Sequence, residues 1–131
     1  MKIEQDGVLI ATIKRFTDWK KNLDFVTSDD AFIQVGTWHY DKGRVLDRHE
    51  HNIVDRQSNI TQECVFVVSG KMLVKFFDRN RTFVKSITLN QFDYAVIFSG
   101  GHEYEILEND TRILECKNGP FPGVALDKTR Y

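Results

Sequence analysis

Apolar residues recur in short runs along the chain, most of them alternating with polar positions. VLIATIKRF (8–16), AFIQVGTWHY (31–40), ECVFVVS (63–69), MLVKFF (72–77), TFVKSITL (82–89), YAVIF (94–98), EYEIL (103–107) and TRILECK (111–117) are all rich in β-branched and aromatic residues. Turn-forming stretches separate the later runs: Gly70-Lys71, DRNR (78–81), SGG (99–101) and END (108–110). Only TDWKKNLDF (17–25) reads as a helical turn, with the DWKK run facing solvent. Strands spaced by roughly 8–12 residues predict an all-β sandwich or barrel. Several runs are apolar on both faces, as expected when one face lines an interior and the other packs on a second layer. Closure also protects edges that so many Phe- and Val-rich strands would expose. The expected fold is therefore all-β, a small antiparallel β-barrel with little helix.

Length adds that one domain, 1–131, suffices, with enough chain for a core. Prolines occur only at 120 and 122, and no linker, repeat or low-complexity stretch divides the sequence. Lys plus Arg number 18 against 19 acidic residues, a net charge of −1, and the basic residues are scattered. That excludes a nucleic-acid footprint. No run approaches the ~20 apolar residues of a membrane span, and the N-terminus has no signal-peptide pattern. Cys64 and Cys116 lie in separate apolar runs, outside any C-x-x-C arrangement, and read as reduced, buried thiols of a cytoplasmic protein.

The chemistry concentrates around GRVLDRHEH (43–51), which carries two of the four histidines. On a strand, His49 and His51 share a face with Asp47, while Arg48 and Glu50 point the other way. Two imidazoles so placed can both reach one metal ion at ~2.0–2.1 Å; on an exposed strand end they have no such role. Glu63 heads the apolar face formed by Val65, Val67 and Ser69, where a carboxylate either has a partner or sits at the solvent end. His102 follows two glycines that permit a sharp entry into its strand.

Together these residues resemble the paired motifs of the cupin superfamily. The first motif, G-x5-H-x-H followed by E-x6-G, is matched by Gly43, His49, His51, Glu63 and Gly70. The second, G-D-x-V-x-I-P-x-G followed by His, is matched within FDYAVIFSGGH by Asp93, Gly100 and His102. The motifs occupy 43–70 and 92–107. This sequence departs from the pattern at five points, one being that a single residue separates Gly100 from His102. Eleven residues separate His51 from Glu63, so NIVDRQSNITQ (52–62) is an inserted loop. Phe92 replaces the first glycine, Phe98 the proline, and Ile106 the closing asparagine. The tail ECKNGPFPGVALDKTRY (115–131) is similar to that of small bacterial cupins, several of them associated with cell-surface polysaccharide biosynthesis.

The resemblance implies a jelly-roll barrel holding one divalent metal ion (Fe, Mn, Ni or Zn) on His49, His51, Glu63 and His102, with Asp47 and Gln62 as fallback ligands. An open site of this kind acts as a Lewis acid, or binds oxygen when the metal is iron. Two further residues are candidates for the pocket. Tyr104, on the face of His102, either hydrogen-bonds a ligand or fills the core; His39 is either an acid/base or structural. Asp93 is expected to satisfy backbone donors in its turn, and Lys117 to be solvated.

Three function classes follow. The favoured one is a metal-dependent isomerase, epimerase, lyase or dioxygenase acting on a small oxygen-rich substrate such as a sugar or sugar nucleotide. The others are a metal-free epimerase with His49 or His102 as base, and a binding or sensing barrel. The resemblance also implies a homodimer, with the outer faces of 63–77 as an apolar interface.

Overall fold

A computed structural model describes residues 1–131. Ten strands form: β1 (Lys2–Gln5), β2 (Val8–Lys14), β3 (Asn22–Phe25), β4 (Gly36–His39), β5 (Glu63–Ser69), β6 (Lys71–Phe77), β7 (Phe83–Asn90), β8 (Tyr94–Ile97), β9 (Gly101–Ile106) and β10 (Arg112–Lys117). The only α-helix is α1 (Val124–Asp127). The all-β, antiparallel expectation holds, and the strands hydrogen-bond as three sheets: β1-β2-β8-β5-β10, β7-β6-β9 and the hairpin β3-β4. No helix is long and apolar enough to cross a membrane.

The first two sheets share one core. Ile10, Ile13, Val65, Val67 and Ile97 from the five-stranded sheet meet Met72, Val74, Phe76 and Leu89 from the three-stranded sheet, all buried. Alternation along β5 and β6 sets this up, since every second side chain points inward. From β5 to β10 the chain keeps changing sheet, and the turns carry the strain of doing so. Gly70 (φ 80°) joins β5 to β6 where a Cβ would collide with Thr111, and Gly100 (φ 75°) enters β9 where one would collide with the Phe77 carbonyl.

The outer face of the five-stranded sheet is apolar too, and the chain covers it itself. Tyr94, Val96 and Phe98, with Cys64 and Phe66 beside them, pack against Trp19, Val26, Ala31, Ile33 and Val35. This explains strands that are apolar on both faces. Within the expected 63–77 interface, Cys64 and Phe66 are therefore occupied, while Val68 remains exposed.

Four local expectations need correction. Asp6-Gly7, both with positive φ, closes a two-residue hairpin that adds β1, a strand too short and too polar to stand out. The 17–25 stretch is a single 3-10 turn (Phe16–Asp18) followed by β3, because pairing with β4 outweighs its helical spacing. Cys116 is exposed, since β10 is an edge strand whose outer face nothing covers; Cys64 and Cys116 are opposite one another in register and both thiols are free. Finally, the strand expected around His49 and His51 does not form. Residues 44–59 contain no strand or helix, and the only backbone hydrogen bond near them is the Arg44 N–H to the Asp41 carbonyl. Polar and charged side chains fill most of this stretch, and no neighbouring strand offers the partner that a strand requires.

Candidate functional site

Glu63 is the most buried acidic side chain, 4% exposed, at the head of β5's inward face. His102 and Tyr104, two apart on β9, approach it from the other sheet. The His102 Nε2 lies 2.9 Å from Glu63 Oε1, and the Tyr104 hydroxyl donates to the same oxygen at 2.5 Å. Tyr104 also packs on the main core, so the core-filling role expected of it holds, while its hydroxyl is committed to Glu63. Burial pushes the Glu63 carboxyl up, but hydrogen bonds from His102 and Tyr104, with the charges of His102 and Lys128, outweigh it and hold it at about 2. Burial and the neighbouring Glu63 charge push the Tyr104 phenol far above its ordinary value, so it stays protonated. His102 Nδ1, on the other side of the ring, is buried and has no partner.

These three side chains face an open cleft of about 1300 Å³. Ser58–Thr61 and the tail from Asn118 to Tyr131 form much of its wall. Asn118 ties the two together: its Oδ1 accepts from the Gln62 N–H at 2.6 Å, and its Nδ2 donates to Ser58 Oγ at 2.6 Å. Thr61 Oγ1 donates to Asp127 at 2.7 Å. The β6–β7 turn supplies the remaining rim, with Arg79 and Arg81. A smaller hollow of about 200 Å³ beside Asp6 holds none of the Glu63 cluster.

The other expected residues lie elsewhere. His49 and His51 are exposed on the irregular segment, their rings 5.4 Å apart and nearly perpendicular. His49 Nδ1 lies 2.9 Å from the Asp47 carbonyl, which fixes the ring with Nε2 outermost. Asp47 is exposed beside them. Gln62 is committed to the backbone, accepting from Ile33 N–H at 3.2 Å and donating to the Phe98 carbonyl at 3.4 Å. His39 is exposed at the end of β4, opposite Asn22. Asp93 accepts from Arg15, from the Phe16 N–H and from the Asn90 N–H, the turn-stabilising role its position suggests. Lys117 is 3.2 Å from Glu115 and lies over the Phe121 ring. Cys64 points away from Glu63, and burial, with Cys116 and Glu63 nearby, pushes its thiol up to about 12, which removes it as a nucleophile.

The residues fit a divalent ion by halves. Glu63 Oε1 and His102 Nε2 are 2.9 Å apart, close to the ~3 Å between neighbouring ligands that each bind at ~2.0–2.2 Å. No three side chains of metal-binding type converge anywhere in the chain, because His49 and His51 remain on the exposed segment. Comparison of the chain with protein-family models, curated proteins and solved structures finds no match.

Proposed function

We propose that this chain is a cupin-type enzyme acting on a small oxygen-rich substrate, a sugar or sugar derivative, with Glu63, His102 and Tyr104 as its reactive centre. One observation carries the reading: a buried carboxylate bonded to both an imidazole and a phenol at the floor of a large cleft. The turn geometry agrees with the resemblance, since Gly70, Gly100 and also Phe92 (φ 68°) take left-handed conformations at motif glycine positions. Two free thiols suit a reducing compartment such as the cytoplasm.

His102, partly exposed on the cleft, is the group placed to move a proton to or from substrate carbon or oxygen. Glu63 balances the imidazolium that results and fixes the ring tautomer. Tyr104 donates to Glu63 and acts through it, as a positioning residue. Glu63 and His102 are also the residues that would hold a divalent ion, with His49 and His51 as the remaining donors. When bound, such an ion supplies Lewis-acid polarisation of a substrate carbonyl. The Glu63–His102 pair also favours a second reading, proton transfer by His102 with no metal, as in the metal-free epimerase class.

Both readings predict exchange of a carbon-bound hydrogen with solvent. The test is deuterium incorporation, followed by NMR, into a panel of sugar phosphates and nucleotide sugars in D2O. Incorporation that disappears in His102→Ala is expected. Incorporation that survives in that variant would remove His102 from the chemistry, and none across the panel would remove the proton-transfer reading.

A further inference from the structure

Four cations line the mouth of the cleft: Arg79 and Arg81 on the β6–β7 turn, and Lys128 and Arg130 on the C-terminal tail. None of them takes part in an ion pair, although eight such pairs occur in the chain. The acids of the same cleft are all engaged. Glu63 holds His102 and Tyr104, Glu103 pairs with Lys75 at 2.6 Å, and Asp127 accepts from Thr61. Asp78 accepts the backbone N–H groups of Asn80 and Thr82, each at 2.8 Å. The four acids and four Lys/Arg side chains balance in formal charge, but each acid already has a partner within the chain whereas none of the four cations is ion-paired.

The cations are also held in place. Asp78 cages the β6–β7 turn, and Arg81 adopts a φ of 67°, a conformation uncommon for a side-chain-bearing residue. Its guanidinium lies 4.9 Å over the Tyr131 ring, which in turn packs edge-on against Phe77 at 6.0 Å. This contact joins the turn to the tail, so two distant pieces of sequence present their charges together. Lys128 and Arg130 line the same cleft from the tail.

We propose that this rim is a phosphate-binding subsite, in which Arg79, Arg81, Lys128 and Arg130 grip a phosphate or diphosphate group on the substrate. Guanidinium groups match phosphate oxygens in a forked, two-bond geometry, and ammonium groups add point charge. The proposal rests on the cleft being the substrate site and names the chemical class it takes, a phosphorylated or nucleotide-linked small molecule.

The experiment is calorimetric titration of the full chain with inorganic pyrophosphate and with UDP, using uridine as the uncharged control. Both anions are expected to bind saturably, uridine not, with affinity falling as salt rises. Arg79→Ala/Arg81→Ala and Lys128→Ala/Arg130→Ala are each expected to weaken binding by about tenfold or more. All four side chains are exposed and outside ion pairs, so thermal unfolding of Lys128→Ala/Arg130→Ala is expected to match the parent, while Arg79→Ala/Arg81→Ala, which removes the contact with Tyr131, is expected to unfold slightly earlier but with an intact fold. UDP binding more tightly than pyrophosphate identifies a nucleotide tail; equal binding identifies phosphate alone. No saturable binding of either anion at millimolar concentration, or binding that both double variants leave intact, overturns the subsite. Pyrophosphate binding without His102-dependent exchange leaves the subsite standing and overturns only the reaction. Exchange without anion binding does the reverse.

Discussion

His102 on β9 and Glu63 on β5 belong to different sheets, yet Nε2 and Oε1 lie 2.9 Å apart. The contact closes one end of the shared core with a polar link where the other layers use methyl groups and rings. It makes Glu63 both a structural clasp and a member of the reactive centre. Glu63→Ala is expected to leave Tyr104 and His102 without their acceptor and to cost roughly 1–3 kcal/mol in urea unfolding. A variant as stable as the parent would show that the clasp contributes nothing.

The same carboxylate sets a pH dependence. Its value in the folded chain, about 2, is below the 4.5 of an unperturbed Glu, so the folded state favours the ionised form. The stabilisation is fully present above pH 4.5 and disappears as pH falls toward 2. At ~1.4 kcal/mol per unit it amounts to at most about 3 kcal/mol. Urea unfolding of chelator-treated protein across this window is expected to show a slope that Glu63→Gln removes. An identical slope in the variant would place the titrating group elsewhere.

Tyr104→Phe separates the hydroxyl from the ring. The ring keeps its place on the core, while Glu63 loses one of the bonds that hold its carboxyl down. The expected result is a stability loss of about 1–2 kcal/mol and an acid transition shifted to higher pH. Loss of stability with no shift in the acid transition would mean that the ring, and not the hydroxyl, matters at this position.

How much of this was legible in the sequence depends on periodicity and on reach. From 63 to 117 the alternation is strong, and strands, turns and the inward parity of Glu63, His102 and Tyr104 could all be read directly. Around His49 and His51 the i, i+2 spacing carries meaning only on a strand, and strand formation depends on a partner that local pattern cannot supply. The second layer of apolar residues was foreseeable, but not that the chain's own 19–35 segment would provide it. The rim cations left no local signal, because Arg79, Arg81, Lys128 and Arg130 meet only through folding. Asn118, which staples the cleft wall, looks like any loop asparagine until Gln62 and Ser58 are placed beside it.

Glycine replacements test how tightly each turn is held. Gly100→Ala adds a methyl group against the Phe77 carbonyl at positive φ, and is expected to cost more than the ~1–2 kcal/mol of left-handed strain alone. Gly43→Ala, at φ 93° with nothing around it, is expected to cost no more than the left-handed strain of about 1–2 kcal/mol, and less than Gly100→Ala. Comparable losses of thermal stability in the two variants would show that the chain at Gly43 is as constrained as the sheets.

The central claim is that Glu63 and His102 form the reactive centre of a cupin-type enzyme, with His49 and His51 as the remaining donors to one divalent ion. Metal content by mass spectrometry tests it most directly, on tag-free protein reconstituted in turn with Fe, Mn, Ni and Zn. The account predicts close to one ion per chain for at least one metal, lost in His102→Ala and reduced in His49→Ala/His51→Ala. Failure to retain any of the four metals, or retention unaffected by either variant, would contradict it.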